Sequence, residues 1–252
     1  MICKKNILFV LLVYLLTSLT LRAQISFGVQ IQNFGRSGGG GGQVDSMVVI
    51  TNSNAQLLEY PPQGVGLFFE YQLKSRFPVM IRSELNYRGG KPSGLQLFVF
   101  NSITGKTSAS NYSELKQSYN LEIPIDLGYT LFKRGLRLLN KSVEFEAGLL
   151  AGVSFQFQST SNQVIYQKQP LNSSGVDDVN SAINNSIRAT NYFYNYGFRV
   201  KLWNFILIYR VDQLLNNSAI KDLSLWGNSY PLKVSYEYQS ISLGYKLNLK
   251  RK

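Results

Sequence analysis

The sequence predicts an all-β fold: an eight-stranded antiparallel up-and-down transmembrane β-barrel with short periplasmic turns and long extracellular loops. Apolar and polar residues alternate in one segment after another from Ile25 to Lys250, and a strand turns successive side chains to opposite faces. The connections between these segments are alternately short and long, which is typical of outer-membrane barrels. A membrane barrel turns its apolar face outward to lipid, whereas the competing fold, a soluble exported β-sandwich, would turn that face inward.

The N-terminal segment has the layout of a secretory signal peptide. Two lysines precede the apolar run Ile7–Leu21, and the small residue Ala23 ends the segment. We expect residues 1–23 to be cleaved and residues 24–252 to form the outer-membrane barrel domain. An uncleaved anchor is the alternative, but the run is shorter than the roughly 20 residues that a spanning helix needs.

The residue composition argues against catalysis. The chain contains no histidine and one cysteine, Cys3, which would leave with the signal peptide. The expected mature chain therefore has no imidazole base or ligand and no thiolate nucleophile. We expect no catalytic residue, no metal ligand and no cofactor, and hence a protein that is not an enzyme.

The chain is strongly basic. Its formal net charge is +12, and it falls to +9 without the signal residues Lys4, Lys5 and Arg22. Nucleic acid is one class of partner for such a chain, but an exported protein rarely meets nucleic acid, and no helix or arm presents a basic stripe. We expect no nucleic-acid binding and place the positive charge at the barrel ends, near the anionic headgroups of outer-membrane lipid.

Eight segments carry the alternation, and most have about the 9–11 residues that a tilted membrane strand needs. The apolar face falls on odd positions in all of them except the sixth, where it falls on even positions. The last segment changes phase near Gln239 and Ser240, where a bulge or a later start of the strand would explain the change. In chain order the predicted strands are Ile25–Phe34, Gly64–Leu73, Val79–Arg88, Tyr119–Leu131, Val143–Phe157, Tyr192–Leu202, Phe205–Val211 and Val234–Leu249.

The connections also carry expectations. Lys74–Pro78 and Trp203-Asn204 are short and Lys133–Ser142 is a medium turn, whereas the other connections are long and rich in Asn, Ser, Gly and Gln. We expect Gly38–Gly42 to be flexible slack in a surface loop, with ligand cradling as the alternative. The apolar segment Leu95–Phe100 either extends the third strand beyond the membrane or contacts a partner.

An outward apolar face leaves the charged strand residues facing the lumen. The interior of an eight-stranded barrel is just wide enough for its side chains, and buried charges must pair. Because acids and bases nearly balance, we expect an ion-pair plug; a narrow ion path or small binding site is the alternative. The predicted lumen network comprises Glu70, Arg82, Glu84, Arg88, Glu122, Asp126, Glu144, Glu146, Arg199, Lys201, Arg210, Asp212 and Lys246.

Two further groups of residues are expected at the ends of the strands. Tyr, Trp and Phe residues, among them Phe34, Tyr87, Tyr129 and Trp203, would form outward aromatic girdles at headgroup depth. A basic periplasmic rim would carry Lys74, Arg76, Lys133, Arg134, Arg137 and Lys141.

Several segments resemble the PorT-like outer-membrane β-barrel family of Bacteroidota. Tyr119–Tyr129 is similar to the family's "YLEIPLLLKY" hallmark and departs from it at Asn120, Asp126 and Gly128. Gly64–Tyr87, Val143–Phe155 and Ser240–Leu249 resemble its strand two and three hairpin, its "EAG…G" strand and its closing strand. The resemblance implies an eight-stranded barrel in the outer membrane. It implies no single activity, although some members serve the type IX secretion and gliding machinery.

We therefore expect a non-enzymatic integral outer-membrane barrel that acts as a scaffold or accessory subunit of a secretion or surface complex, with protein partners in the cell envelope. A small pore or ligand-binding barrel is the alternative. An envelope lipid-modifying enzyme is a third and weaker hypothesis.

Overall fold

The structure is a computed structural model that describes residues 23–44, 47–52, 64–73, 78–89, 94–101, 107–114, 118–138, 141–160, 182 and 185–247. Residues 1–22, where most of the expected signal peptide falls, lie outside the described residues. The strands are β1 (Ala23–Val44), β2 (Met47–Asn52), β3 (Gly64–Leu73), β4 (Val79–Gly89), β5 (Gly94–Asn101), β6 (Thr107–Glu114), β7 (Ser118–Leu138), β8 (Lys141–Thr160), β9 (Thr190–Leu202), β10 (Phe205–Leu214), β11 (Leu223–Leu225), β12 (Asn228–Tyr230) and β13 (Lys233–Leu247).

Eight of these strands close into an antiparallel barrel. The order is β1-β3-β4-β7-β8-β9-β10-β13, and β13 pairs with β1 to complete the circle. The stagger of the strands can be found by moving from each residue to its partner on the next strand until the path returns to β1. Starting at Ser26, this path passes through Glu70, Arg82, Asp126, Gly152, Asn195, Asp212 and Tyr238 and ends at Arg36. The path returns ten residues further along β1, so the strands tilt against the barrel axis. The predicted eight-stranded barrel is confirmed.

The barrel is inside-out compared with a soluble protein. In β7 the apolar Leu121 and Ile125 are 38% and 43% exposed on the outer face, whereas Glu122 and Asp126 are 2% and 1% exposed and face the lumen. This arrangement excludes the competing β-sandwich, in which the apolar side chains would be covered and the carboxylates solvated.

The two ends of the barrel differ. Three short connections, between β3 and β4, β7 and β8, and β9 and β10, lie at the end that also holds Ala23 and Leu247, which we call the hairpin end. The long connections lie at the opposite end, which we call the loop end. The tight turn after β9 places Trp203 at a φ of 58°, a left-handed conformation that bulky residues rarely adopt.

The predicted turn Lys133–Ser142 is wrong, because this stretch is mostly strand. β7 and β8 pair with each other as far as Leu138 and Lys141. Pairing of β7 with β4 ends at Tyr129, and pairing of β8 with β9 ends at Phe145. The β7–β8 hairpin therefore projects beyond the rest of the hairpin end.

The barrel sheet continues beyond the closed barrel at the loop end, and we call this extension the loop-end sheet. The upper part of β1 pairs with β13 on one side and with β2 on the other, and β2, β5 and β6 follow in order. The apolar segment Leu95–Phe100 lies in β5, where it pairs with β2 and β6. It is a strand of this loop-end sheet. β5 begins at Gly94, soon after β4 ends at Gly89, and runs in the same direction. It lies two strands from β1, as β4 does in the barrel, so the segment extends the third predicted strand beyond the barrel.

The glycine run is not slack, which corrects the expectation for Gly38–Gly42. All five glycines lie in β1, and Gly39–Gly41 have cross-strand partners on both sides. A Cβ on Gly40 would lie 1.8 Å from the carbonyl oxygen of Lys233. Glycine is needed here because the two backbones approach too closely for a side chain.

A small apolar core supports the loop end. Val44, Leu223, Leu232 and Val234 are buried together, with Ala182 and Ile220 beside them. The β11–β12 hairpin packs its Leu225 and Tyr230 against this cluster. Its turn residues Trp226 and Gly227 have φ values of 51° and 79°, as a two-residue type I′ turn requires.

The phase change predicted near Gln239 is not a bulge. The registers of β13 with β1 and with β10 run without interruption through Glu237–Ile241. The alternation changes because two polar residues, Glu237 and Gln239, stand on the outer side near the loop end, where Gln213 donates a 2.9 Å hydrogen bond to Glu237. Among the described residues, no helix is both long and apolar enough to cross a membrane.

We expect Gly40→Ala to destabilise the protein, because the methyl group would push β1 and β13 apart. Overpacking of this kind costs about 1–3 kcal/mol. Urea unfolding in detergent micelles measures the loss. Gly135→Ala is the matched control, since its Cβ would meet only Ser142 Oγ at 4.0 Å. Equal midpoints for both variants would contradict the tight packing of the glycine run.

Candidate functional site

The charged lumen is the candidate functional site. Inward positions alternate along each strand, so the tilt and register decide which charges meet. All thirteen predicted lumen residues lie on barrel strands, and all are buried except Glu144 and Lys246, which are partly exposed near the hairpin end. The fully enclosed members include Arg82, Glu84 and Arg210.

A continuous chain of ion pairs occupies the middle of the lumen. Arg82 donates to Glu70 Oε1 through Nη1 and to Glu84 Oε1 through Nε, both at 2.6 Å. Arg210 donates through Nη2 to Glu84 Oε1 at 2.9 Å and to Asp126 Oδ2 at 2.5 Å. Charge-assisted hydrogen bonds of this kind are roughly twice as strong as neutral ones.

Two of the contacts join opposite walls of the barrel. Arg199 on β9 binds Glu70 on β3 through Nε and Nη2, at 3.1 Å each. Arg210 on β10 binds Glu84 on β4. Each pair of strands lies four positions apart in a circle of eight, so these side chains span the full width of the lumen at two levels.

A second cluster lies toward the hairpin end. Arg199 Nη1 donates to Glu146 Oε2 at 3.2 Å, and Lys201 Nζ lies 3.4 Å from Glu146 Oε1 and 3.2 Å from Glu144 Oε2. Lys133, on the projecting β7–β8 hairpin, reaches back to both glutamates. The hydrogen bond to Glu144, supported by Glu146, raises the pKa of Lys133, so this ammonium stays charged at neutral pH.

A third cluster lies toward the loop end. Arg88 forms an ion pair with Glu122, and its guanidinium carbon lies 4.7 Å from the ring centre of Phe34 and 5.9 Å from that of Tyr238. The expected outward position of Phe34 in an aromatic girdle is therefore wrong. Beyond Gln32, Phe34 faces the lumen and covers Arg88, which gains a cation–π contact.

Neutral side chains that the sequence analysis did not single out complete the network. Gln30 Nε2 donates to Glu84 Oε2 and to Asn86 Oδ1, both at 2.8 Å, and Gln30 Oε1 accepts from Arg82 Nη2 at 2.6 Å. The sequence pattern did indicate that Gln30 and Asn86 face the lumen, because both residues occupy inward positions of their strands. Counting only charged residues left them out.

An apolar cluster also lies inside the barrel. Phe68, Met80, Leu150, Ile206 and Ile208 are buried together, although alternation placed Phe68 and Met80 on the polar face. The guanidinium carbon of Arg82 lies 4.1 Å from the centre of the Phe68 ring. These apolar side chains fill the part of the lumen that the charged side chains leave open.

Phe68 fits because two glycines face it. A Cβ on Gly28 would lie 2.4 Å from Phe68 Cζ, and one on Gly244 would lie 2.9 Å from Cε1. Large and small residues thus alternate around the wall, as in other small barrels.

The predicted basic rim is only partly described. Lys133 and Arg134 are exposed on the β7–β8 hairpin, and Arg137 and Lys141 lie near its tip. Lys74 and Arg76 lie outside the described residues. Among the described residues, no group of three or more His, Cys, Asp or Glu could hold a metal ion.

No protein-family model matches the sequence, and no curated protein matches it. The solved structures that are similar include two of Ail, the attachment invasion locus protein of Yersinia pestis. The one in complex with the heparin analogue sucrose octasulfate has 12% identity and a TM-score of 0.28, and the other has 11% and 0.25. Each comparison covers 87% of this chain and 99% of the Ail chain. Similarity this low says nothing about ligands of this chain.

We expect Arg210→Met to reduce the free energy of unfolding by about 3–5 kcal/mol, because it leaves buried Asp126 without its guanidinium partner. Lys133→Met should cost under about 1 kcal/mol, since this ammonium is 53% exposed and Glu146 keeps Arg199 and Lys201. Urea unfolding followed by tryptophan fluorescence measures both. Similar losses in the two variants would show that the cross-lumen network does not stabilise the barrel.

Proposed function

We propose that this chain is an integral outer-membrane β-barrel that acts, without catalysis, as a scaffold for a protein complex of the cell envelope. The observation that carries the proposal is the distribution of polarity: the barrel wall is apolar outside and charged inside. Soluble monomers rarely expose apolar patches above a few hundred Å². The outward side chains include Ile25, Val29, Val65, Leu67, Ile81, Leu85, Leu121, Ile125, Leu127, Leu149, Val153, Phe198, Leu207 and Leu243.

The same distribution supports an orientation. Short turns face the periplasm and long loops face outward in outer-membrane barrels, so the hairpin end would be periplasmic. Export through the predicted signal peptide agrees with this placement. The exposed cations Lys133 and Arg134 would then lie near the periplasmic headgroups or meet a periplasmic partner.

The filled lumen supports a scaffold over a pore. Arg199–Glu70 and Arg210–Glu84 bridge opposite walls, so an ion would have to break buried ion pairs to pass. The surfaces left for partners are at the ends, above all the loop-end sheet of β1, β2, β5 and β6. The resemblance of Tyr119–Tyr129 to the PorT-like hallmark of Bacteroidota supports an accessory role in a secretion or surface complex, as in type IX secretion.

Membrane insertion is tested by Leu127→Arg. Leu127 is 60% exposed on the outer wall, and an arginine at the bilayer midplane costs about 2–4 kcal/mol. Leu215→Arg is the matched control, because Leu215 is 55% exposed but lies just beyond β10 at the loop end. We expect wild type and Leu215→Arg in the detergent-extracted outer-membrane fraction and Leu127→Arg depleted from it. Wild-type protein in the soluble periplasmic fraction would refute the proposal.

The scaffold role is tested by shortening the loop end. β4 and β7 are adjacent and pair up to Gly89 and Tyr119, so a short Asn-Gly turn can replace residues 90–117 and remove β5 and β6. We expect wild type to co-purify with specific envelope proteins after detergent extraction and the shortened barrel to insert but lose them.

Planar-bilayer recording of the same preparations separates the scaffold from the pore. A sealed lumen gives no discrete openings. Ion-selective openings in wild type that disappear on changing Arg82 or Glu122, together with no loss of partners in the shortened barrel, would favour the pore instead.

A further inference from the structure

Asp212 differs from the other buried carboxylates of the lumen. Glu70, Glu84, Glu122, Asp126 and Glu146 each form an ion pair with arginine or lysine. Asp212 is 1% exposed, and within the described part of the chain it pairs with no basic side chain. From the described residues, Asp212 Oδ1 accepts a hydrogen bond from Ser154 Oγ at 2.9 Å.

The two guanidinium groups that act on Asp212 electrostatically, those of Arg210 and Arg88, form ion pairs with other carboxylates. Arg210, two residues earlier on β10, binds Glu84 and Asp126. Arg88 and its partner Glu122 both interact electrostatically with Asp212, but Arg88 is in contact with Glu122. An isolated carboxylate inside the wall destabilises the barrel unless something neutralises it.

Side chains with oxygen atoms occupy positions next to Asp212 in the sheet. Asn195, its cross-strand partner on β9, donates through Nδ2 to Ser154 Oγ at 2.8 Å, so Ser154 links the two residues. Asn195 Oδ1, Asp212 Oδ2 and Ser240 Oγ have no hydrogen-bond partner among the described residues. Ser240 lies on β13 opposite Arg210, diagonally next to Asp212. All of these side chains are at least nine-tenths buried.

We propose that Asp212, Asn195, Ser154 and Ser240 form a binding site for one monovalent alkali cation in the loop-end half of the lumen. Oxygen donors alone suit hard cations and not the softer transition metals. A single positive charge balances the carboxylate of Asp212, which has no basic partner among the described residues. A divalent ion would need more carboxylates than the site offers.

The test uses the full-length protein in detergent, with the ions themselves as probes. Urea unfolding is measured in sodium, potassium and choline chloride at one ionic strength, because choline is too large for the site. We expect a higher midpoint in sodium or potassium than in choline, with a saturable dependence on concentration. Line broadening of the ²³Na NMR signal by the protein gives an independent readout.

Asp212→Asn removes the charge that needs balancing. We expect this variant to have the same midpoint in all three salts and to be at least as stable in choline as wild type. Asp222→Asn, at an exposed position of the loop end, should keep the wild-type dependence. If Asp212→Asn does not fold, Ser154→Ala should raise the half-saturating sodium or potassium concentration several-fold.

Three results would overturn the proposal. The first is a wild-type midpoint that is equal in the three salts. The second is an alkali-ion dependence that survives in Asp212→Asn. The third is a midpoint that responds to pH but not to the identity of the cation, which would mean that Asp212 is neutralised by a proton.

Discussion

The pairing of charges across the lumen is the constraint on which the rest of the barrel depends. Eight strands enclose a space that their own side chains fill, and a charge left there without a partner is costly. Glu70 meets Arg199, and Glu84 meets Arg210, only when strands four places apart stand at the observed register. The ion pairs thus stabilise one closure of the sheet among several that a period-two pattern would permit.

The other inward residues follow from the same packing. The charged groups do not fill the whole cross-section, and Phe68 occupies what remains because Gly28 and Gly244 stand opposite its ring. Gln30 and Asn86 both donate to Glu84 Oε2, and Gln30 accepts a hydrogen bond from Arg82. Hydrogen bonds in such a buried network reinforce one another, which makes the middle of the lumen rigid.

Local periodicity explains why the barrel strands could be predicted and the loop end could not. Alternation identifies a strand and its two faces, as in Leu121–Leu131, without knowledge of its neighbours. The pairing partner of a strand depends on tilt and register, which no local pattern contains. Composition therefore misled at Gly38–Gly42, where close backbone contact requires glycine. Residue type misled at Phe34, whose even position already places it on the inward face with Gln30 and Gln32, where it contacts Arg88. It also could not tell which acid meets which base.

The length of β1 has a mechanical consequence. This strand runs from Ala23 at the hairpin end to Val44 in the loop-end sheet, and it is hydrogen-bonded to β13 along most of its length. A force applied to the loop-end sheet along the barrel axis would load these hydrogen bonds in parallel. They would then resist the force together and would not break one at a time. No hinge separates the two regions along β1. Force applied to the loop-end sheet would therefore be transmitted to the barrel wall as strain, with little relative movement of the two regions.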